Sequence, residues 1–246
     1  MPASLDTNGP TKKVLIVATN PAVSDQTGWP IGFWWAEVTH PYWEFVERGY
    51  DVTIASPDGG ALTADGFSDP EHESGYSAHD LISLGFKKSP THAALLEDTP
   101  RLADLDLSSF DAVFLAGGQG PMYTFRRHPD VHAAVRQFLE AGKPTAVVCH
   151  ATCVLLEATG SDGRLLVDGR TWTGFANAEE QFADGFVGMR IQPFWIEDEA
   201  RKLANTNFIV NGLFKPFAVR DGNLITGQQQ YSGAAAARLV IEALGV

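Results

Sequence analysis

The sequence predicts an α/β fold: a doubly wound, mostly parallel sheet with helices on both faces, plus a small antiparallel appendage. Three observations carry this. Residues 12–19, 50–56, 110–116 and 145–148 are short runs rich in apolar and β-branched residues. Strands covered by helices on both faces read this way. Segments of helical pattern alternate with these runs, and β-α-β alternation implies parallel strands joined by crossovers. The first three runs also stop at Asn20-Pro21, Pro57-Asp58-Gly59-Gly60 and Gly117-Gly118-Gln119-Gly120, which are turn formers.

The chain has 246 residues, 44% of them apolar, enough for a large core. Lys and Arg number 18 against 30 Asp and Glu, so the net charge is 18 − 30 = −12. That balance argues against nucleic acid or an anionic membrane as partner. Two cysteines spaced i, i+4 are no disulfide framework and suit a reducing, cytoplasmic setting. No run approaches the roughly 20 apolar residues of a spanning helix. Residues 1–11 read as a flexible tail and residues 12–246 as one α/β domain.

In chain order, residues 12–19 form the first strand and Gly28 to Gly32 a loop. Residues 33–48 are helical, with Gly49 as the stop and Pro41 expected to kink or split the helix. Residues 50–56 form the second strand. Residues 61–90 show few signals. Their acids Asp65, Asp69, Glu71, Glu73 and Asp80 lie near His72 and His79, but the spacing matches no ligand pattern, so the stretch reads as a solvated acidic loop without a metal. Residues 91–105 look helical with a break at Pro100. Residues 110–116 are the third strand and 128–141 an amphipathic helix. Further on, residues 170–173, 207–210, 217–220 and 224–226 read as strands, with an Asp221-Gly222 turn between the last two. Residues 178–183, 197–204 and 232–244 read as helices, the last with Ser232 as N-cap.

The chemistry centres on Thr145-Ala146-Val147-Val148-Cys149-His150-Ala151-Thr152. A buried strand ends at Cys149-His150 and a helix is expected from Ala151, with no loop residue between them. Such a join needs a tight elbow, which lifts the residue at its tip off the sheet, and a small residue two places on lets the helix pass. A tip cysteine is also expected to feel the helix N-terminus, which favours thiolate. Ligands in open α/β sheets collect at the carboxyl ends of the strands, where Thr19-Asn20, Gly117-Gly118-Gln119-Gly120 and Cys149-His150 all end. The glycines fit neither a GxGxxG fingerprint nor a P-loop. They offer free backbone N–H groups from Gly117 and Gly118 which, with that of His150, would make an oxyanion hole. Adjacent residues at an elbow diverge, so His150 need not touch the sulfur itself. An orienting acid for His150 is sought at Glu179 or Glu180. Glu37, amid Trp34, Trp35, Ala36 and Val38, is either exposed or buried against something functional. If buried, its raised pKa lets it donate a hydrogen bond to a thiolate.

Taken together, these pieces resemble the ThiJ/PfpI superfamily, with its flavodoxin-like, class I glutamine amidotransferase-like fold, and within it the heat-shock chaperone and glutathione-independent glyoxalase III branch. The matching stretches run from Lys13–Ala18 through Gly32–Tyr42, Val52–Gly60, Ala116–Gly120, Ala146–His150 and Thr173-Gly174-Phe175 with Glu180, to Leu224–Gln228. The resemblance implies Cys149 as nucleophile, His150 as general base, Glu180 as its orienting acid and Glu37 as the carboxyl touching the sulfur. It implies oxyanion contacts from Gly118 and His150. In the glyoxalase members a thiolate attacks methylglyoxal, a hemithioacetal forms, a proton moves between the two carbons and lactate leaves, without glutathione, metal or other cofactor. Related branches hydrate isonitriles or hydrolyse amides, and others act as stress chaperones. The expected partners are a small carbonyl substrate and a second copy of the chain in a homodimer. The chain departs from the branch at Ala151-Thr152, where Gly-Pro is usual, and at Gln119, where the loop usually has histidine. Trp34, Trp35 and Tyr42 are expected to crowd the mouth of the site, and Trp29, Trp34 and Trp35 are the aromatics a chaperone surface would expose.

Overall fold

The computed structural model describes residues 11–245, so the expected tail lies outside the described residues except for Thr11. The first half holds β1 (Lys13–Val17), β2 (Ala22–Val23), β3 (Pro30–Ile31), α1 (Trp35–Val46), β4 (Asp51–Ala55), α2 (Leu81–Lys88), α3 (Pro90–Ala93), β5 (Ala112–Leu115) and α4 (Pro121–Thr124). Then come α5 (Pro129–Glu140), β6 (Thr145–Val148) and a 3₁₀ helix at Cys149–Leu156. The remainder is β7 (Thr171–Trp172), α6 (Asn177–Val187), α7 (Ile196–Ala200), β8 (Asn207–Phe208), β9 (Ala218–Asp221), β10 (Leu224–Gly227) and α8 (Gly233–Ala243).

The main sheet has the order β4-β1-β5-β6-β10-β9. Every pair in it is parallel except β9 with β10. Successive side chains of a strand face opposite sides, so the apolar runs fill two cores. Leu15, Val17, Val113, Leu115 and Val147 pack with Val131, Val135 and Phe138 of α5. Val14, Ile16, Phe114, Ala146 and Val148 pack with Val38 and Phe45 of α1 and Val240 of α8. This is why the strand sequences are apolar at consecutive positions rather than alternately. β9 and β10 form the antiparallel hairpin, whose turn is Gly222-Asn223, one residue later than expected, with Gly222 at φ 63°. β2 and β3 form a second, small antiparallel pair, while β7 and β8 pair in parallel apart from the main sheet.

Three local expectations are corrected. Pro41 does not split α1, which runs unbroken through it. The buried proline ring lies against Gly233 of α8, where the absence of a side chain makes room for it. The helix expected over residues 91–105 is only α3 followed by a 3₁₀ turn at Ala94–Leu96. Beyond that the backbone is spent on bridges to the end of β4: Ser56 N–H donates to Pro100 O at 3.2 Å and Thr99 N–H to Gly60 O at 3.0 Å. The stretch 61–90 contains a helix that the sequence did not announce. α2 is capped by Asp80, which accepts the Ser83 N–H, and its last turn carries Lys87 and Lys88 facing the helix C-terminus. Among the described residues, no helix is long and apolar enough to cross a membrane.

Candidate active site

β6 lies inside the sheet between β5 and β10 and ends at Val148 in extended conformation. The next residue, Cys149, sits at φ 55°. Few residues with a side chain adopt that left-handed region, and its cost is borne where the surroundings hold it. Here Thr152 Oγ1 donates to Cys149 O at 2.6 Å and locks the turn. The elbow is as the sequence predicts. The helix after it is not: it begins at Cys149 itself and is 3₁₀ through Leu156.

Four groups converge on the sulfur. The backbone N–H groups of His150 and Gly118 point at it, and the Glu37 carboxyl lies beside it. His150 Nδ1 is 3.5 Å from Sγ, so the ring does meet its neighbour's thiol. On its far side, His150 Nε2 is 3.0 Å from Glu180 Oε1. With the Nε2 proton donated to that carboxylate, the Nδ1 lone pair faces the thiol. The imidazole also stacks on Phe175, ring centres 4.0 Å apart at 22°. Glu180 is buried, which pushes its pKa up, while His150 draws it back. Glu179, beside it, is buried as well rather than an exposed helix start, but serves a different purpose. Its Oε1 accepts from Gln228 Nε2 at 2.8 Å and the Phe214 N–H at 3.1 Å, and its Oε2 from the Ala176 N–H at 3.1 Å.

Glu37 has no exposed surface. Burial pushes its pKa up to about 7, against the pull of the Cys149 thiol and the Gly117 N–H. That N–H donates to Glu37 Oε2 at 2.7 Å, so Gly117 has none to spare for an oxyanion, contrary to the sequence reading. Gly117 is glycine for a steric reason: a Cβ there would lie 2.5 Å from Glu37 Oε2 and 2.8 Å from Cys149 Cβ. The thiolate expectation is also corrected. Burial, and then the Glu37 charge, hold the Cys149 thiol well above its ordinary value, and the two N–H groups only partly offset them. The N-terminus of this short 3₁₀ helix does not overcome removal from water. Cys153 lies deeper, with its thiol donating to Pro121 O at 3.3 Å, and burial raises its pKa strongly.

The sequence assigned Asp65 to a solvated loop, yet its carboxyl is completely buried. Oδ1 accepts the Gly32 N–H at 2.9 Å and Oδ2 the Gln119 N–H at 2.6 Å. Asp65 therefore pins the loop that presents the Gly118 N–H to Cys149. Burial lifts its pKa to about 7, with the two N–H groups pulling the other way. No local signal marks it, because both partners are distant in sequence. Of the other acids of the stretch, Asp69, Glu71 and Glu73 reach solvent, with Lys87 Nζ 2.6 Å from Asp69 and Lys88 Nζ 2.6 Å from Glu71. The Asp80 carboxylate is instead largely buried and meets His40 Nε2 at 2.9 Å, contrary to the solvated-loop reading. Among the described residues no group of three or more His, Cys, Asp or Glu is arranged to hold a metal.

A cleft opens over Cys149, His150 and Gly118, walled by Trp29, Trp34, Phe67, Tyr76, Phe182 and Phe186. Trp34 is at its mouth as expected, but Trp35 and Tyr42 are not. Trp35 is buried against Phe33 and Phe86, and Tyr42 packs on Phe86 and His92. Asn20 is not in the cleft wall either. Its side chain ties the ends of β1 and β4 together through Ser56 Oγ, Gly59 O and the Asp58 N–H.

The chain as a whole is similar to known proteins. The glutathione-independent glyoxalase HSP31 of Saccharomyces cerevisiae is 25% identical over 240 residues, covering 95% of this chain and 98% of that protein. Glyoxalase 3 of Candida albicans is 24% identical over 216 residues, 86% of this chain and 89% of its own. The crystal structure of glyoxalase III from Candida albicans superposes with a TM-score of 0.77 at 24% identity, over 94% of this chain and 97% of that one. Rapid Encystment Protein 24 KDa of Francisella tularensis gives a TM-score of 0.85 at 23% identity, over 96% and 100%. These two structures share the fold. The model of the DJ-1/PfpI family matches residues 32–243, the span from the start of the Glu37 segment to the last helix, and the chain belongs to that family.

Proposed function

We propose that this chain is a cysteine-dependent enzyme for small reactive carbonyl compounds, converting methylglyoxal to lactate without glutathione. The observation that carries the reading is the convergence on Cys149 Sγ of Glu37, the Gly118 and His150 N–H groups, and the His150–Glu180 pair. The relatives named glutathione-independent glyoxalases support it.

The thiol proton passes to Glu37, which near neutrality is poised to take it. The thiolate then adds to the aldehyde carbon. A C–S bond forms, and the oxygen, held by the Gly118 and His150 N–H groups, takes a proton to give a hemithioacetal. His150 removes the remaining hydrogen on that carbon as a proton, and the electron pair moves toward the neighbouring carbonyl. The proton returns to the second carbon, leaving a thioester of the 2-hydroxy acid. One carbon has been oxidised and its neighbour reduced, so no external electron carrier is needed. Water adds to the thioester, the C–S bond breaks and the thiolate is restored. The net change is methylglyoxal plus water to lactic acid. Glu180 keeps the imidazole in the tautomer that presents Nδ1 and stabilises the imidazolium.

The test is lactate formation from methylglyoxal in a glutathione-free assay. Wild type turns over, and Cys149→Ser loses at least about 10²-fold in rate, the lower end of what positioned catalytic groups supply. Wild-type turnover equal to that of Cys149→Ser would end the reading.

A further inference from the structure

The wall of the cleft is richer in aromatic surface than a three-carbon substrate can cover. Phe186 of α6 packs against Phe67 and Tyr76 in the cleft wall, its ring centre 6.3 Å from each. Phe182, one turn earlier on α6, meets Phe214 edge-on at 5.3 Å and 82°. Trp34 meets Tyr76 edge-on, ring centres 6.1 Å apart at 88°. Phe182 and Phe186 remain 46% and 62% exposed, although large apolar side chains are usually covered. Both belong to the cleft wall rather than to a scattered surface.

The polar part of the lining is selective too. Among the described residues, the cleft lining contains no Lys or Arg, and its one acid, Glu180, is committed to His150. Gln119 and Gln192 line it with buried amide oxygens that have no hydrogen-bond partner. A carboxylate or phosphate on the substrate would be desolvated there without a counter-charge, which is costly. A neutral body with a flat apolar face would meet ring edges and faces on either side.

Resting on the glyoxalase reading above, we propose that the preferred substrate is a neutral α-oxoaldehyde bearing an aromatic or similarly bulky apolar group, with Phe67, Phe182, Phe186 and Phe214 as the subsite for that group. The chemistry is unchanged: an arylglyoxal plus water gives an aryl 2-hydroxy acid through the same thioester. The ring contacts are made equally in ground and transition states, so the gain falls on KM rather than kcat. Each methylene-sized group buried multiplies affinity by roughly fourfold, so a half-covered ring gives at least about tenfold.

Two measurements test this, and they separate failure of the subsite from failure of the reaction. The first compares phenylglyoxal, methylglyoxal and the anionic 4-carboxyphenylglyoxal as substrates of the full chain. Phenylglyoxal is expected to show a KM at least about tenfold below that of methylglyoxal, and 4-carboxyphenylglyoxal a KM well above that of phenylglyoxal. Phe186→Ala, at an exposed position, is expected to shrink the phenylglyoxal advantage by at least about threefold, close to the worth of one buried methylene. Equal KM values, or equal losses on both substrates in Phe186→Ala, would overturn the proposal. The second needs no turnover: protection of Cys149 from iodoacetamide by acetophenone or by butanone. Protection by acetophenone at a concentration at least about tenfold lower supports the subsite even if neither glyoxal is consumed. Equal protection by the two ketones refutes it even if methylglyoxal is consumed.

Discussion

His150 Nε2 lies 3.0 Å from Glu180 Oε1, whereas Glu179 turns away from the imidazole to hold Gln228 and the backbone of Phe214. Neighbours on a helix point about 100° apart, so two adjacent acids serve two different purposes. Glu180→Gln is expected to lower turnover by at least about 10²-fold, because the amide no longer favours the imidazolium. Glu179→Gln is expected to keep kcat within a few-fold and to lose stability instead, by about 1–3 kcal/mol for a buried donor left without its acceptor. Steady-state kinetics and thermal melts on both variants separate the roles. The reverse ranking would transfer the orienting role to Glu179.

The raised pKa of Cys149 makes a prediction about Glu37. Its negative charge is the second-largest cause that keeps the thiol protonated, after burial. Glu37→Gln removes that charge, so the pH at which iodoacetamide reacts with Cys149 at half its maximum rate is expected to fall. Cys153 is expected to stay unlabelled in the native protein of either variant, being buried and engaged with Pro121 O. Mass spectrometry after labelling over a pH series reads both sites. An unmoved Cys149 midpoint would remove Glu37 from the electrostatics of the thiol.

Glu37 and Asp65 also set a pH dependence of stability. Each binds its proton more tightly folded than unfolded, with pKa values of about 7 against ordinary values of 4.5 and 3.8. Between those limits the folded chain carries more protons than the unfolded one, so these two groups favour the fold at low pH. Their contribution fades as the pH rises from about 4 through about 7. In Glu37→Gln that decline is expected to be shallower than in wild type. Melting temperatures at about pH 5 and about pH 8 for the two proteins give the comparison, and parallel curves would contradict the assignment.

Gly117→Ala is a steric test of the same cluster. The added methyl would meet Glu37 Oε2 and Cys149 Cβ inside contact distance, forcing one of them to move. A displacement near 1 Å in a reacting site costs on the order of 10²-fold in rate. We expect that loss in kcat with the chain still folded by circular dichroism. Wild-type kcat in Gly117→Ala would mean that the Glu37–Cys149 geometry does not limit the reaction.

Asp65→Asn tests the pinned glycine loop. One of the two N–H groups now held by the carboxylate would face an amide NH₂, and Gln119 would be released or pushed aside. Because Gly118 precedes Gln119, its N–H would lose aim at the oxyanion. The expected result is a fall in kcat of at least about tenfold, below the 10²–10³ for deleting such a donor outright, with KM for methylglyoxal nearly unchanged. A loss confined to thermal stability would leave Asp65 a structural residue only.

The sequence by itself determined whatever depends on local pattern. Consecutive apolar residues at 14–17 and 112–115 are legible because a strand buried on both faces needs them, and the sheet has those strands at its centre. The elbow at Cys149 is legible because a strand running into a helix without a loop residue leaves no other way to turn. Tertiary structure alone decided the rest. Asp65 meets partners 33 and 54 residues away, so no window of sequence reveals that it is buried. Glu179 and Glu180 are equivalent in composition and spacing, and only the placement of α6 against the elbow chooses between them. The state of the Cys149 thiol likewise follows from how deeply the sheet and α1 bury it beside Glu37. Burial and the charge that comes with it are properties of the packed chain, and here they outweigh the local helix end that the sequence shows.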